Sequence, residues 1–291
     1  MVVDAHTHLE TPIPGVNPDP GKRRSTHMLM WAYELLGFRN PLWRGEPPEP
    51  ARILIAAENQ LRLSMGSREN LLRTMDKRGI DRAIVLPIAP YSTSREYLEK
   101  CRGEPRLVPF ASVCPHQDWE RELKEAMEGG CRGLKVHPIL QRIAPEDPFL
   151  FHLMEAFRGY GRPVLFHTGE FDYFVTRDRH ARYGDTLRLE KLIAAFPDVP
   201  VILGHMGLYY PEKALELARR YENVYLETSF QPLKVVREAI RVAGRERVIF
   251  GSDWPESDPL FSLRIARKAT EGDRDLFSRI TSRNILALVE G

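Results

Sequence analysis

The chain has 291 residues, 43% of them hydrophobic, and a formal net charge of +2 with both signs spread along it. That apolar share allows a sizeable core, and the lack of a clustered basic face argues against a nucleic-acid surface. Three cysteines, Cys101, Cys114 and Cys131, stand at no metal-ligand spacing and fit buried thiols in a reducing compartment. No apolar run approaches the roughly 18 residues of a membrane span, and no leader-like charged and apolar regions precede the first strand. The expectation is a cytoplasmic protein.

The first predicted strand covers 2–8, where Val2-Val3 runs into Asp4-Ala5-His6-Thr7-His8. Residues two apart on a strand share a face, so His6 and His8 project side by side, with Asp4 deeper on the same face. Two imidazoles held that way are half of a metal site. A histidine pair at a strand end is about as often a polar rim, so the pair needs partners. Residues 11–21 carry too much Pro and Gly for regular structure. Helices are predicted over 26–36 and 51–65, split by a turn-rich stretch at 41–50. A connection this long, about 10–66, is often a lid or binding loop. Its Trp31, Tyr33, Phe38 and Trp43 beside Arg23, Arg24, Arg39 and Arg44 fit either a small helical appendage or a cover over the site.

From Ser67 a simple alternation sets in. A helix over 67–79 has Ser67 at its start and Gly79 at its stop. Strands follow at 82–88, 107–113, 133–137, 163–167, 201–205, 224–228 and 248–253. Between them lie helices at 94–101, 118–129, 148–160, 186–196, 211–221 and 233–243, and after them 260–270 and 273–289. Eight buried apolar strands separated by helices predict a closed (β/α)8 TIM barrel in one domain, a size common for about 250 residues. A doubly wound open sheet is disfavoured, because no Gly-rich phosphate loop follows the first strand.

Chemistry in such a barrel sits at the C-terminal ends of the strands. Here those ends carry His6 and His8, Lys135 and His137, His167, His205 and Asp253, with His116 just past the third strand. One histidine at an apolar strand end is usually a satisfied structural residue. Several meeting Asp253 in one mouth make a nitrogen-and-carboxylate site, which suits Zn²⁺ and also Mn²⁺, Fe²⁺ or Co²⁺. The loop after His167, with Glu170, Phe171, Asp172, Tyr173, Phe174, Arg177 and Arg179, lines the pocket or is simply solvated. On the seventh strand Glu227, Thr228 and Ser229 either touch substrate or pack with hydrogen bonds to a neighbour, the latter being the safer expectation.

Five stretches carry a resemblance over nearly the whole chain except the insertion. They are Asp4-Ala5-His6-Thr7-His8, Gly133-Leu134-Lys135-Val136-His137-Pro138, Phe166-His167-Thr168-Gly169, Gly204-His205-Met206-Gly207 and Gly251-Ser252-Asp253-Trp254-Pro255. The sequence resembles the amidohydrolase superfamily, in the amidohydrolase-related branch that includes aminocarboxymuconate semialdehyde decarboxylase and several lactone hydrolases. The resemblance implies one divalent metal ion, zinc first, held by His6, His8, His167 and Asp253. It implies His205 beside the metal, polarising the substrate's carbonyl or orienting a water. A bound dication lowers its water's pKa towards about 7, and Asp253 then serves as general base and acid. His137, Lys135 and Glu170 are the candidates for substrate contact. In the binuclear branch a carboxylated lysine on the fourth strand bridges two metals; which of Lys135 and His137 reaches the mouth is open here. Asp4 fits an orienter of the ligands or a polar plug in the barrel.

The expected function is metal-dependent hydrolysis of a small, carboxylate-bearing lactone, ester or amide, with non-oxidative decarboxylation by the same metal cage as the alternative. A nuclease on a related barrel would need an acidic residue where Cys114-Pro115-His116 stands. A non-catalytic binding protein is disfavoured by the full ligand set. The expected partner is a small-molecule substrate, with neither nucleic acid nor membrane, and a homodimer is the assembly to test.

Overall fold

The strands of this protein are short and mostly apolar, and they alternate with helices along the described chain. A computed structural model describes residues 1–11, 62–63, 66–171 and 180–291. The predicted helix at 26–36, that at 51–65 apart from the helical, buried Arg62 and Leu63, the lid reading of the insertion with Trp31, Trp43, Arg23 and Arg39, and the loop residues 172–179 lie outside the described residues.

The strands are β1 (Val3–Thr7), β2 (Arg82–Val85), β3 (Leu107–Pro109), β4 (Leu134–Val136), β5 (Val164–His167), β6 (Val201–Gly204), β7 (Val224–Glu227) and β8 (Val248–Ile249). All neighbouring pairs are parallel, in two arcs ordered β1-β2-β3 and β4-β5-β6-β7-β8. Two seams join the arcs. Ala111 N donates to Gly133 O at 2.8 Å and Lys135 N to Ala111 O at 2.7 Å. On the other side Ala5 N donates to Phe250 O at 3.0 Å, Asp253 N to His6 O at 2.8 Å and His8 N to Trp254 O at 2.7 Å. The ring is therefore closed, as the strand–helix alternation predicts.

Helix α1 (Arg68–Arg78) begins where the Ser67 hydroxyl accepts from Asn70 N and ends at Gly79 with φ 69°, the left-handed stop that glycine adopts without strain. Helix α2 (Ser94–Cys101) is closed by a reciprocal box between Thr93 and Glu96. The later helices match their predicted positions, but short unpredicted helical turns stand at Pro138–Gln141, Ala181–Gly184 and His205–Gly207, and two predicted helices differ in kind. The segment predicted as a helix over 186–196 opens as a 3-10 turn, Thr186–Leu189, before turning α-helical at Glu190–Ala195. The terminal helix predicted over 273–289 is three pieces: α-helical Arg274–Ser278, a π-helical turn Arg279–Arg283 and α-helical Asn284–Glu290.

Inside the ring Ile84, Leu86, Val108, Phe110, Leu165, Ile202 and Ile249 pack with Val3 and Ala5. Ile285 and Val289 of the last helix join the same cluster, and Asn284 Nδ2 donates to the carbonyls of Arg245 and Val248 at the entry of β8. The end away from the histidines is thus filled with apolar side chains. A larger cluster, including Met75, Val85, Tyr97, Phe157, Phe166 and Leu203, welds the strands to the surrounding helices. Among the described residues no helix is long and apolar enough to cross a membrane.

One expectation about β1 is corrected. Its pairing with β2 shifts register between Asp4 and Thr7, so side-chain alternation does not run unbroken from Asp4 to His8. Asp4 turns to the β8 side of the ring, where its carboxylate accepts from Ser252 N at 2.9 Å and Ser252 Oγ at 2.6 Å, besides His6 N at 3.2 Å. It braces the segment that carries Asp253.

Candidate metal centre

Six polar side chains from β1, β4, β5, β6, β7 and the turn after β8 meet at the strand C-termini, all of them buried: His6, Lys135, His167, His205, Glu227 and Asp253, with His8 and His137 beside them. The rings form one continuous set. His6 meets His8 edge-on at 5.2 Å between centroids and stacks on His205 at 4.5 Å. His167 meets His205 edge-on at 5.1 Å and stacks on His137 at 3.9 Å.

Asp253 is the centre of this set. Its Oδ1 lies 3.1 Å from His8 Nε2 and 3.3 Å from His6 Nε2, and its Oδ2 lies 3.7 Å from His205 Nε2. Oδ1 is buried with no hydrogen-bond partner. An unsatisfied buried carboxylate oxygen is costly unless a cation or protonated group completes it. Among the described residues two groups have ligand atoms mutually within 4.8 Å: His6, His8 and Asp253, and His6, His205 and Glu227. In the second group Glu227 already accepts from Ser229 N, Ser229 Oγ and His205 N. That makes it a hydrogen-bond hub. The first group, two imidazole nitrogens and an unpaired carboxylate oxygen, has the donor chemistry of a divalent-metal site.

Both Asp253 and His205 sit in the left-handed backbone region, each with φ 61°. Non-glycine residues persist there only when the surroundings over-determine them, and such strain gathers at functional sites. Around Asp253 the holding bonds are its N to His6 O and the N of Glu256 to its own O, both 2.8 Å. Around His205 they are Leu208 N to its O at 2.9 Å, with Gln231 Nε2 donating to the same carbonyl.

Burial dominates the electrostatics. It drives the pKa values of His6, His137 and His167 well below the ordinary histidine range, helped for each by Lys135 and neighbouring rings. Burial pushes His205 down to about 4 although Asp253 pulls it back up. These rings are neutral, the form in which imidazole binds metals. For Asp253 burial acts upward, but His205, His8 and Lys135 together hold its carboxyl below the usual value. Burial lowers Lys135 to about 8 against the pull of Asp253 and Glu227, and raises Glu227 to about 8 against its hydrogen bonds.

The remaining candidates fall in different places. His167 is in the mouth, yet its Nε2 faces Gly169 O at 3.2 Å and it belongs to neither ligand group. His137 caps the short helix Pro138–Gln141, its Nδ1 accepting from Leu140 N at 3.3 Å, so a neutral ring carries its hydrogen on Nε2. Lys135 reaches His6 itself: Nζ to Nε2 is 3.3 Å. Glu170 stands at the rim, where its carboxylate pairs with Lys213 at 3.6 Å. His116 lies on the surface against Glu122 at 2.9 Å, away from the cluster. Over the histidines Ile88, Ile139, Leu140, Phe171, Leu208 and Phe230 form an apolar collar from the loops after β2, β4, β5, β6 and β7. The hub Glu227 received only a cautious packing role from the sequence, since an acid at a strand end carries no sign of its partners 22 and 221 residues away.

The family described as Amidohydrolase matches residues 3–288. No curated protein matches the chain. Among solved structures, the chain is similar to a 5-carboxyvanillate decarboxylase from Novosphingobium aromaticivorans, complexed with manganese and a nitrobenzoic acid, at 16% identity and TM-score 0.67 over 100% of this chain and 96% of that one. It is also similar to a 2,6-dihydroxybenzoate decarboxylase from Rhizobium at 17% identity and TM-score 0.64, covering 100% and 99%. A third likeness is to a probable 2-pyrone-4,6-dicarboxylic acid hydrolase from Acinetobacter baumannii with citric acid bound, at 14% identity and TM-score 0.63, again covering 100% and 99%. At these identities the likeness is one of fold.

Proposed function

The chain belongs to the amidohydrolase family, and from that premise we propose that it is a metal-dependent hydrolase of a small, carboxylate-bearing lactone, ester or amide. The observation that carries this reading is the bare Oδ1 of Asp253 between His6 Nε2 and His8 Nε2. His6, His8 and Asp253 would hold the ion, with His167 in the same mouth as the candidate for a further ligand. When bound, such an ion supplies Lewis acidity and makes a water acidic at neutral pH.

The chain's own residues then divide the work. Asp253, kept ionised among neutral rings, takes the proton of the attacking water at its carboxylate and returns it to the leaving oxygen or nitrogen. His205, neutral and 3.7 Å from Asp253 Oδ2, orients that water. His137 offers an Nε2–H to a substrate oxygen. The apolar collar excludes bulk water and so strengthens each of these contacts.

Decarboxylation of a small carboxylic acid is the second reading. The collar with Phe230, whose ring lies 5.3 Å from that of His205, suits a planar ring, and two of the structural likenesses are named decarboxylases. A single assay separates the two. Protein reconstituted with Zn²⁺ or Mn²⁺ is given lactones, esters, amides and β-keto or aromatic carboxylates, while acid release and CO₂ release are followed together. Acid release without CO₂ is expected. CO₂ as the product overturns the hydrolase reading in favour of the second.

A further inference from the structure

We propose that Glu227 and Ser229 are a positioning pair that fixes His6 and His205 in the tautomer whose Nε2 lone pair faces the centre. The inference rests on the reading of His6 as a metal ligand and concerns how that ligand is prepared.

The argument is a count of hydrogens. Glu227 ends β7, fully buried, and four groups converge on its carboxyl. Oε1 accepts from Ser229 N; Oε2 lies 3.1 Å from His205 N, 2.7 Å from Ser229 Oγ and 2.9 Å from His6 Nδ1. Two of the four are backbone N–H groups, which can only donate. On the other side of the ring His6 Nε2 lies 3.3 Å from Lys135 Nζ, and an ammonium can only donate, so the ring's hydrogen stands on Nδ1, facing Glu227. Ser229 has one hydroxyl hydrogen, and it goes to Glu227. Towards His205 Nδ1, 2.6 Å away, Ser229 Oγ is therefore the acceptor, so that ring nitrogen carries its hydrogen too.

Both rings are left with bare Nε2 atoms. That of His6 is 3.3 Å from Asp253 Oδ1, and that of His205 is 3.7 Å from Asp253 Oδ2. The reverse tautomer would aim an N–H of His6 into the ligand group and against the hydrogens of Lys135 Nζ, 3.3 Å away. Room for this acid is reserved by Gly251, where a Cβ would fall 2.4 Å from Glu227 Oε1 and 2.9 Å from His6 Cβ. A carboxylate behind a metal-binding histidine raises its basicity and locks its orientation. Here one carboxylate does so for His6 directly and for His205 through a hydroxyl.

The test begins with metal-free wild-type protein carrying ring-¹⁵N histidine, read by long-range ¹H–¹⁵N correlation. Protonated Nδ1 and bare Nε2 are expected for both His6 and His205; a protonated Nε2 on a neutral His6 overturns the inference. This spectrum needs no variant to fold. Glu227→Gln keeps the volume and should weaken Mn²⁺ binding by about 10–100-fold in calorimetry, with a changed His6 ring pattern. Ser229→Ala should change the His205 pattern alone. Wild-type Mn²⁺ affinity in Glu227→Gln would assign the pair to packing. If wild-type protein binds no divalent metal, the metal reading fails, while the ring spectrum still decides the tautomers.

Discussion

Nζ of Lys135 stands 3.3 Å from Nε2 of His6, both side chains without solvent exposure. The two-residue offset from His137 therefore does not keep Lys135 below the site. Two unit charges 4 Å apart interact by about 4 kcal/mol at an effective dielectric of 20, and a dication doubles that repulsion from an ammonium. A second dication would add further repulsion where, among the described residues, Asp253 alone has a buried carboxylate oxygen without a partner. One equivalent of metal should therefore saturate both binding and activity when apo-protein is titrated. A steep rise between one and two equivalents, with a carboxyl group added to Lys135 by mass spectrometry, would establish a bridged pair instead.

His167→Ala should lower the metal content of the purified protein sharply, by more than the roughly 10–100-fold in affinity that loss of a group behind a ligand costs. The reason is that His167 would add a third imidazole to His6, His8 and Asp253, and an ion held by fewer protein ligands leaves more readily on dialysis. Elemental analysis after dialysis decides it: full occupancy would leave His167 as a stacking partner of His137 alone.

Asp253→Asn should keep much of the metal but lose the proton acceptor. General acid–base groups contribute about 10²–10⁴-fold, so kcat should fall within that range on whichever substrate the panel identifies. Unchanged kcat would remove Asp253 from proton transfer.

Gly251→Ala places a methyl group 2.4 Å from Glu227 Oε1, inside the wall behind His6. Overpacking of this kind costs about 1–3 kcal/mol, and urea unfolding should show it together with weaker metal binding. Wild-type behaviour in both would mean that Glu227 has room to move.

Burial pushes the Cys101 and Cys131 thiols up to about 12 and Cys114 up to about 11. An unfolded thiol ionises near about 8.5, so the unfolded chain loses these protons first as pH rises. The stability from keeping them buried is complete below that pH and is lost progressively as pH climbs to the folded values. Cys101 and Cys131 should resist a thiol reagent at pH 8 until denaturant is added, and the melting temperature should fall from pH 8 to pH 10. Rapid labelling of both in native protein would contradict their burial.

What the sequence by itself determined is local and periodic. Apolar runs of strand length, alternating with capped helices, encode the barrel, because buried parallel strands need side chains that shed water on both faces. The same runs mark their own ends, so His6, His8, His167, His205 and Asp253 could be assigned to one mouth from chain order alone. Tertiary structure decided the rest, because it depends on which distant atom stands opposite. The register shift in β1 sends Asp4 to Ser252. Leu140 N engages His137 as a cap, and Lys213 holds Glu170 at the rim. Glu227, which strand periodicity leaves as one more buried position, becomes the hub because β6 and β1 bring His205 N and His6 Nδ1 to within 3.1 Å of a single oxygen. A hydrogen bond is made or lost over a few tenths of an ångström, and that precision is set by the packed barrel, not by the spacing of residues along the chain.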